Sequence, residues 1–255
     1  MARLTIFHTS DLHNKLTPDL AKRLHDLKKA NPDSLMLDSG DAIWSGNVYW
    51  RPGGEPILDL MSSVPYDAMC VGNREFHFLE CGLSAKTSRA AFPILSANLR
   101  SSDRSLSDEE ALAAIARTGV AAFSRFHQAD VTVGVVGLSV PCITERMLSR
   151  NVSDYYFTDP VETADELAPM LRECDLVVAL THIGLKRDIE LATKVSGFDV
   201  ILGGHTHTIT EQPERVGETL IFHSGFYGHY VRKLEIEFGS GRPEVRSEMI
   251  PLGKA

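Results

Sequence analysis

Five places in this 255-residue chain set carboxylate, imidazole or amide side chains directly after an apolar run. "RLTIFHTS" leads into Asp11 and His13, two apart, and "SLMLDSGD" into Asp41 behind a glycine. "YDAMCVGN" ends at Asn73, with Arg74, Glu75 and His77 close behind. "DLVVALTH" ends at His182, and "DVILGGHTH" ends at His205 and His207. Short apolar runs bounded by turn residues read as buried strands, and strand ends are where open α/β sheets build their sites. Carboxylate and amide oxygens with imidazole nitrogens form a hard-to-borderline donor set, suited to Mn²⁺, Fe or Zn²⁺. Each piece alone is weak: a single His at a strand end is more often a hydrogen-bonded structural residue, and D-x-H and G-D arise by chance. "GGHTH" is stronger, because two glycines and two histidines at a strand end have no evident packing use. The order of all five pieces carries the weight.

The elements that must position these residues alternate in type. In "TPDLAKRLHDLKKAN", Thr17 is a fitting N-cap, Pro18 takes the first helical position, and Leu20, Leu24 and Leu27 share a face. "EPILDLMSSV" reads as helix, "FPILSANL" as one strand, and "SDEEALAAIARTG" as a capped helix closing on a glycine. "VAAFSRFHQADVTVGVVGLSV" reads as a hairpin, and "DPVETADELAPMLREC" and "GLKRDIELATKVSG" as helices. The tail from Thr219 to Pro251 is strand and turn. βαβ units leading into an antiparallel end predict a single α/β domain with helices covering its sheets.

Composition bounds the function. Hydrophobic content is 43% and charged content 24%, ordinary for a soluble domain. The net charge of −8 argues against a broad nucleic-acid surface, so an anionic substrate needs local positive charge from arginines or metal ions. No apolar run has membrane-span length, and the N-terminus lacks a signal-peptide core. The four cysteines form no C-x-x-C pair, which favours reduced, mostly buried thiols and a cytoplasmic location; a Cys70–Cys81 link stays open.

The order D-x-H, G-D, G-N-x-E, H, G-H-x-H resembles the calcineurin-like metallophosphoesterase superfamily. The 5'-nucleotidase branch is nearest: "HTSDLH", "SANL", "THIG", "GGHTH" and "HSGFYGHYVRKLEIEF" all look like its catalytic domain, and the resemblance covers nearly the whole chain. It implies a four-layer α/β/β/α sandwich and two divalent metal ions, Mn²⁺ by preference, with Fe and Zn²⁺ open. By position, Asp11, His13 and His207 would hold the first, Asn73, His182 and His205 the second, and Asp41 would bridge. The implied reaction is in-line attack of metal-activated hydroxide on a phosphoester, without a covalent intermediate. The expected partner is a small-molecule phosphomonoester or nucleotide, with no nucleic acid or membrane; the oligomeric state stays open. The alternatives are a phosphodiesterase, including a 2',3'-cyclic nucleotide phosphodiesterase, and a metal-binding protein of the same fold without catalysis. Residues 1–255 are expected to be the catalytic domain alone, without the branch's C-terminal nucleoside-binding domain.

The chain departs from the family pattern at Arg74. The usual residue there is histidine, paired with an aspartate three positions on, where this chain has His77. A guanidinium stays protonated and cannot act as a general acid, but it can clamp phosphate oxygens. The favoured reading gives charge stabilisation to Arg74 and proton donation to His77. The others are a leaving group that needs little acid help, or a structural Arg74 paired with Glu75 or Glu80. Weaker substrate-binding candidates are Trp44 and Arg51, in the loop after Asp41, and His223 at another strand end. His8 is a candidate for orienting a metal ligand from behind.

Overall fold

The computed structural model describes residues 2–253. In chain order its strands and helices are β1 (Arg3–Thr9), α1 (Pro18–Ala30), β2 (Ser34–Asp38), α2 (Ile57–Ser63), β3 (Ala68–Cys70), α3 (Glu80–Thr87), β4 (Ile94–Leu95) and β5 (Leu99–Ser101). There follow α4 (Asp108–Ala116), β6 (Val120–Ala121), β7 (Phe123–Gln128), β8 (Val131–Ser139), β9 (Tyr155–Phe157), α5 (Pro160–Leu167), β10 (Leu176–His182) and α6 (Leu185–Lys194). The chain closes with β11 (Val200–Gly203), β12 (Glu214–Val216), β13 (Thr219–His223), β14 (Tyr230–Glu237) and β15 (Glu244–Pro251).

Side-chain alternation explains the layering. Within β1 to β3, Leu4, Ile6, Leu35, Leu37, Ala68 and Cys70 point to one core, while Phe7, Met36 and Met69 point to another. Within β10 and β11, Leu176, Val178, Leu180, Val200 and Leu202 join that first core, and Val177, Ala179 and Ile201 face a third. A strand buried on both faces must be apolar throughout, which is why these segments read as unbroken hydrophobic runs. The shared core lies between a seven-stranded sheet, β15-β14-β1-β2-β3-β4-β6, and a six-stranded sheet, β12-β13-β11-β10-β8-β7. The outer cores lie under α1 and α2 on one side and under α5 and α6 on the other. The result is the α/β/β/α sandwich the family resemblance implies. Among the described residues, no helix is long and apolar enough to cross a membrane.

Local signals explain most boundaries. The Thr17 hydroxyl accepts the Leu20 amide, and Ser107 forms a capping box with Glu110. The β7–β8 hairpin turns through Ala129 and Asp130, both left-handed. Two expectations need correction. "FPILSANL" is two strands, β4 and β5, because the buried Asn98 side chain bonds Ser139 and Thr158 and turns the chain out of the sheet into a ribbon with β9. "DPVETADELAPMLREC" is helical only to Leu167, then a 3-10 turn over Ala168–Leu171, since Pro169 has no N–H to continue the ladder. No disulfide forms; Cys70 is buried and Cys81 exposed.

Candidate metal centre

The carboxyl ends of β1, β2, β3, β10, β11 and β13 converge, so loops from both sheets meet over one edge of the sandwich. Backbone conformation marks the place. Nine described non-glycine residues have positive φ, and five are candidate ligands: Asp11, His13, Asp41, His205 and His207. Asn14 and Tyr227 adjoin them, leaving only the hairpin turn elsewhere. Left-handed backbone at residues with a Cβ costs roughly 1–2 kcal/mol each, so its concentration here marks functional constraint.

The seven candidate ligands come together. Asp11, His13 and His207 place ligand atoms within 4.8 Å of one another, and so do Asp11, Asp41 and His182. The Nε2 atoms of His13 and His207 face each other at 3.1 Å. Asn73 Oδ1 lies 3.1 Å from His205 Nδ1 and 3.3 Å from His182 Nε2. Asp41 spans the two groups, with Oδ1 3.5 Å from His182 Nε2 and Oδ2 3.7 Å from His13 Nε2.

Second contacts aim these atoms. His182 Nδ1 donates to the Ser39 carbonyl at 2.7 Å, which aims Nε2 into the cluster. His8 supports Ser39 from behind: its Nε2 donates to Ser39 Oγ at 2.7 Å, and Ser39 Oγ donates onward to the Leu202 carbonyl. Burial alone would lower the His182 pKa, but Asp41, Asp11 and Glu75 outweigh it and hold the imidazole at about 9. Burial opposes ionisation of Asp41, yet His182, the Arg74 amide and His13 bring it down to about 2. The centre thus draws positive charge to itself. Asp11 Oδ1 is buried with no hydrogen-bond partner. That orphaned oxygen, the facing imidazole nitrogens and the mixed N/O donor set fit divalent metal ions.

Glu75 welds the centre's two loops, a role the sequence reading missed. Its buried carboxylate accepts four backbone N–H groups: Asp41 and Gly72 at 2.8 Å, Ala42 at 2.9 Å and Ile43 at 3.2 Å. The motif G-N-x-E carries the signal, but the motif alone suggests only a pairing with Arg74. Arg74 instead donates its amide to Asp41 Oδ1 at 2.8 Å and Nη1 to the Trp44 carbonyl at 2.8 Å, with Nε 3.9 Å from Asp41 Oδ2. Its Nη2 has no partner among the described residues, and the side chain stands at the rim of the cluster. A Cβ at Gly72 would lie 2.4 Å from the Asp41 amide and carboxylate, so only glycine lets these loops meet.

Three expectations change. His77 is not brought to the cluster: its buried ring packs on Trp50 and Phe78, its Nδ1 accepts the Leu79 amide at 3.0 Å, and Gly82 backs it so closely that a Cβ there would lie 2.2 Å from Nδ1. Proton donation from that niche to a phosphoester is not supported. His223 does not line the site either; it is fully buried, its Nε2 2.7 Å from Asp188 Oδ2, and Asp188 also accepts the Thr181 hydroxyl. Nor are the "GGHTH" glycines without packing purpose. A Cβ at Gly203 would strike His223 at 2.2 Å, and one at Gly204 would crowd Asp11 Oδ2 at 3.0 Å.

The Trp44 loop divides. Trp44 is exposed, packs edge-on to Tyr49 and carries the Arg51 guanidinium 4.9 Å over its ring, while Trp50 turns inward onto His77. The Arg74–Trp44 bond ties the outer part to the rim of the centre. Sequence reasoning missed Tyr227. Its amide donates to the Asp11 carbonyl at 2.9 Å and its ring stands edge-on to His13, 5.5 Å between centroids. Its signal was an aromatic pair, Phe226–Tyr227, bracketed by Gly225 and Gly228.

Fold and centre define an α/β sandwich with a candidate dinuclear metal site where its two sheets meet. Residues 4–208 match the calcineurin-like phosphoesterase family, and the chain belongs to that family. It is 31% identical to the trifunctional nucleotide phosphoesterase protein YfkN of Bacillus subtilis, over 92% of this chain and 18% of that protein. It is 28% identical to the human 5'-nucleotidase, over 80% of this chain and 38% of that one. The crystal structure of a 5'-nucleotidase precursor from Thermus thermophilus superposes with a TM-score of 0.77 at 25% identity, over 98% of this chain and 54% of that one. The chain thus spans between 18% and 54% of these relatives' lengths.

Proposed function

We propose that this chain hydrolyses small phosphoesters, phosphomonoesters or nucleotides foremost, using two divalent metal ions, Mn²⁺ first among the candidates. The observation that carries the reading is Asp41, whose two oxygens face the two ligand groups at 3.5 and 3.7 Å. Asp11, His13 and His207 would hold one ion, Asn73, His182 and His205 the other, and Asp41 would bridge them. Such a pair supplies water activation and charge neutralisation at the phosphorus. The chain's own residues orient the ester. The Arg74 guanidinium, fixed through Nη1 to Trp44, offers Nη2 to a phosphate oxygen, and the Trp44–Arg51 pair offers a surface for a flat leaving group. Glu75 keeps Asp41 and Asn73 in register by holding both loops. His77 in this reading shapes its loop and transfers no proton.

The test is turnover of an aryl phosphate and the matching diester in Mn²⁺, Zn²⁺, Fe²⁺ and Co²⁺, with Asp41→Asn as control. Monoester turnover exceeding diester turnover and vanishing in Asp41→Asn supports the proposal. Diester preference moves the assignment to a phosphodiesterase. No turnover in any metal supports a metal-binding protein without catalysis.

A further inference from the structure

Away from the centre, a cavity of about 640 Å³ opens between the β5–α4 loop, the end of α4 and a 3-10 turn, Leu148–Val152, before β9. None of the candidate metal ligands lines it. Its walls hold three buried polar atoms without hydrogen-bond partners: Arg150 Nε, the Tyr155 hydroxyl and the Ser102 hydroxyl. Nine such atoms occur among the described residues, so this one cavity gathers a third of them. Native proteins seldom leave buried polar groups unpaired, and a cluster of them on one concave wall points to a ligand.

The charges point the same way. Arg150 is only 9% exposed, yet its guanidinium makes no hydrogen bond or ion pair among the described residues, and its one marked contact is the Tyr156 ring, 4.3 Å away. Arg104 and Arg117 line the same cavity, likewise without an ion pair among the described residues. The cavity's aspartates are engaged. Asp154 accepts the Glu80 amide at 2.7 Å and Asp103 accepts the Ser105 amide and hydroxyl at 2.9 and 2.7 Å; Glu80 lines the same wall. Three guanidinium groups thus line one space beside three carboxylates, and Arg150 is the buried one of the three, with no acceptor among the described residues.

We propose that this cavity binds a small organic phosphate, with Arg150 and Arg117 on the phosphate oxygens and the Tyr155 and Ser102 hydroxyls completing its hydrogen bonds. The volume suits a sugar phosphate or nucleotide. The wall is continuous with the segment that carries Asn73 and Arg74. The Ser153 hydroxyl and the Asp154 amide both donate to the Phe78 carbonyl, at 3.1 and 2.8 Å. The proposal does not depend on turnover at the metal centre.

Calorimetric titration of the chelator-treated protein with ribose 5-phosphate and with inorganic phosphate tests it. The expected result is one equivalent of ribose 5-phosphate bound, equally by wild type and by Asp41→Asn, with affinity falling about tenfold or more in Arg117→Ala, the loss of one charge-assisted bond. Arg104→Ala is a second exposed-site variant that leaves the buried wall intact. Comparable affinity for inorganic phosphate would confine recognition to the phosphate; tighter ribose 5-phosphate binding would bring in the hydroxyls. No binding at millimolar concentration, binding indifferent to both arginine variants, or binding lost in Asp41→Asn would overturn the proposal.

Discussion

Arg74 directly follows the proposed ligand Asn73, and its geometry limits what it can do there. A guanidinium anchored at Nη1 and held near Asp41 is a fixed charge beside the candidate metal centre. We expect Arg74→Ala to lower kcat/KM about 10–100-fold, mainly through KM, the worth of one hydrogen bond to a charged phosphate. Metal content, read by elemental analysis, should be unchanged, because the metal-facing atoms belong to other side chains. His77 makes the opposite prediction. Packed between Trp50, Phe78 and Gly82, it stabilises its loop. His77→Ala should cost about 2 kcal/mol or more of stability in a denaturant titration and leave the pH–rate profile on an alkyl phosphate in place. An abolished limb of that profile would return proton transfer to His77.

At the scale of elements, two loops must be held against each other for Asp41 and Asn73 to address a common point. Glu75 does this from below through four backbone amides. Lys86 does it from α3: its buried ammonium donates to the carbonyls of Gly46, Arg74 and Phe76 at 2.7, 2.6 and 2.9 Å. Burial lowers the Lys86 pKa, against the pull of Glu75 and Glu55, to about 8. The sign of the consequence is fixed by linkage. Between about pH 8 and the ordinary lysine value the unfolded chain binds more protons than the folded one, so this group's contribution to stability rises with pH across that window and is lost as pH falls through 8. The stability difference between wild type and Lys86→Met, measured in urea from pH 7 to 10.5, should therefore shift in favour of wild type as pH rises. A flat difference would mean that Lys86 keeps its ordinary pKa in the folded protein.

For the whole molecule, the centre exists only because two sheets end on the same edge. Asp11, Asp41 and Asn73 come from one sheet, His182, His205 and His207 from the other, and the shared core between them fixes the separation. Metal binding should therefore stabilise the entire sandwich. At a hundredfold excess over Kd, one bound ion adds about 2.7 kcal/mol. For a domain of this size, that is a rise in Tm of roughly 5–10 °C. Chelation should reverse it, and back-titration should need two equivalents. The Asp41→Asn protein should show a smaller rise, since its bridging charge is gone.

Much of this was legible in the sequence, for a definite reason. Strands buried on both faces must be apolar from end to end, and polar residues that break such runs at the same relative place are visible without coordinates. Asp11, His13, Asp41, Asn73, His182, His205 and His207 could all be named that way, as could the capped helices beginning at Pro18 and Asp108. Less visible were effects that depend on what lies across a gap. Asn98 splits one apolar run into two strands through partners 41 and 60 residues away. His77 and His223 read as free imidazoles beside the site, but Gly82 and Asp188 close on them from other elements. Glu75 is placed by sequence and given its task by tertiary contact, since four amides from two loops converge on it. Which atoms could hold metal is readable from the chain alone, because donor chemistry and strand-end position are local properties. Which histidines face the centre and which are sealed away emerges on folding, because orientation and burial are set by neighbours far along the chain.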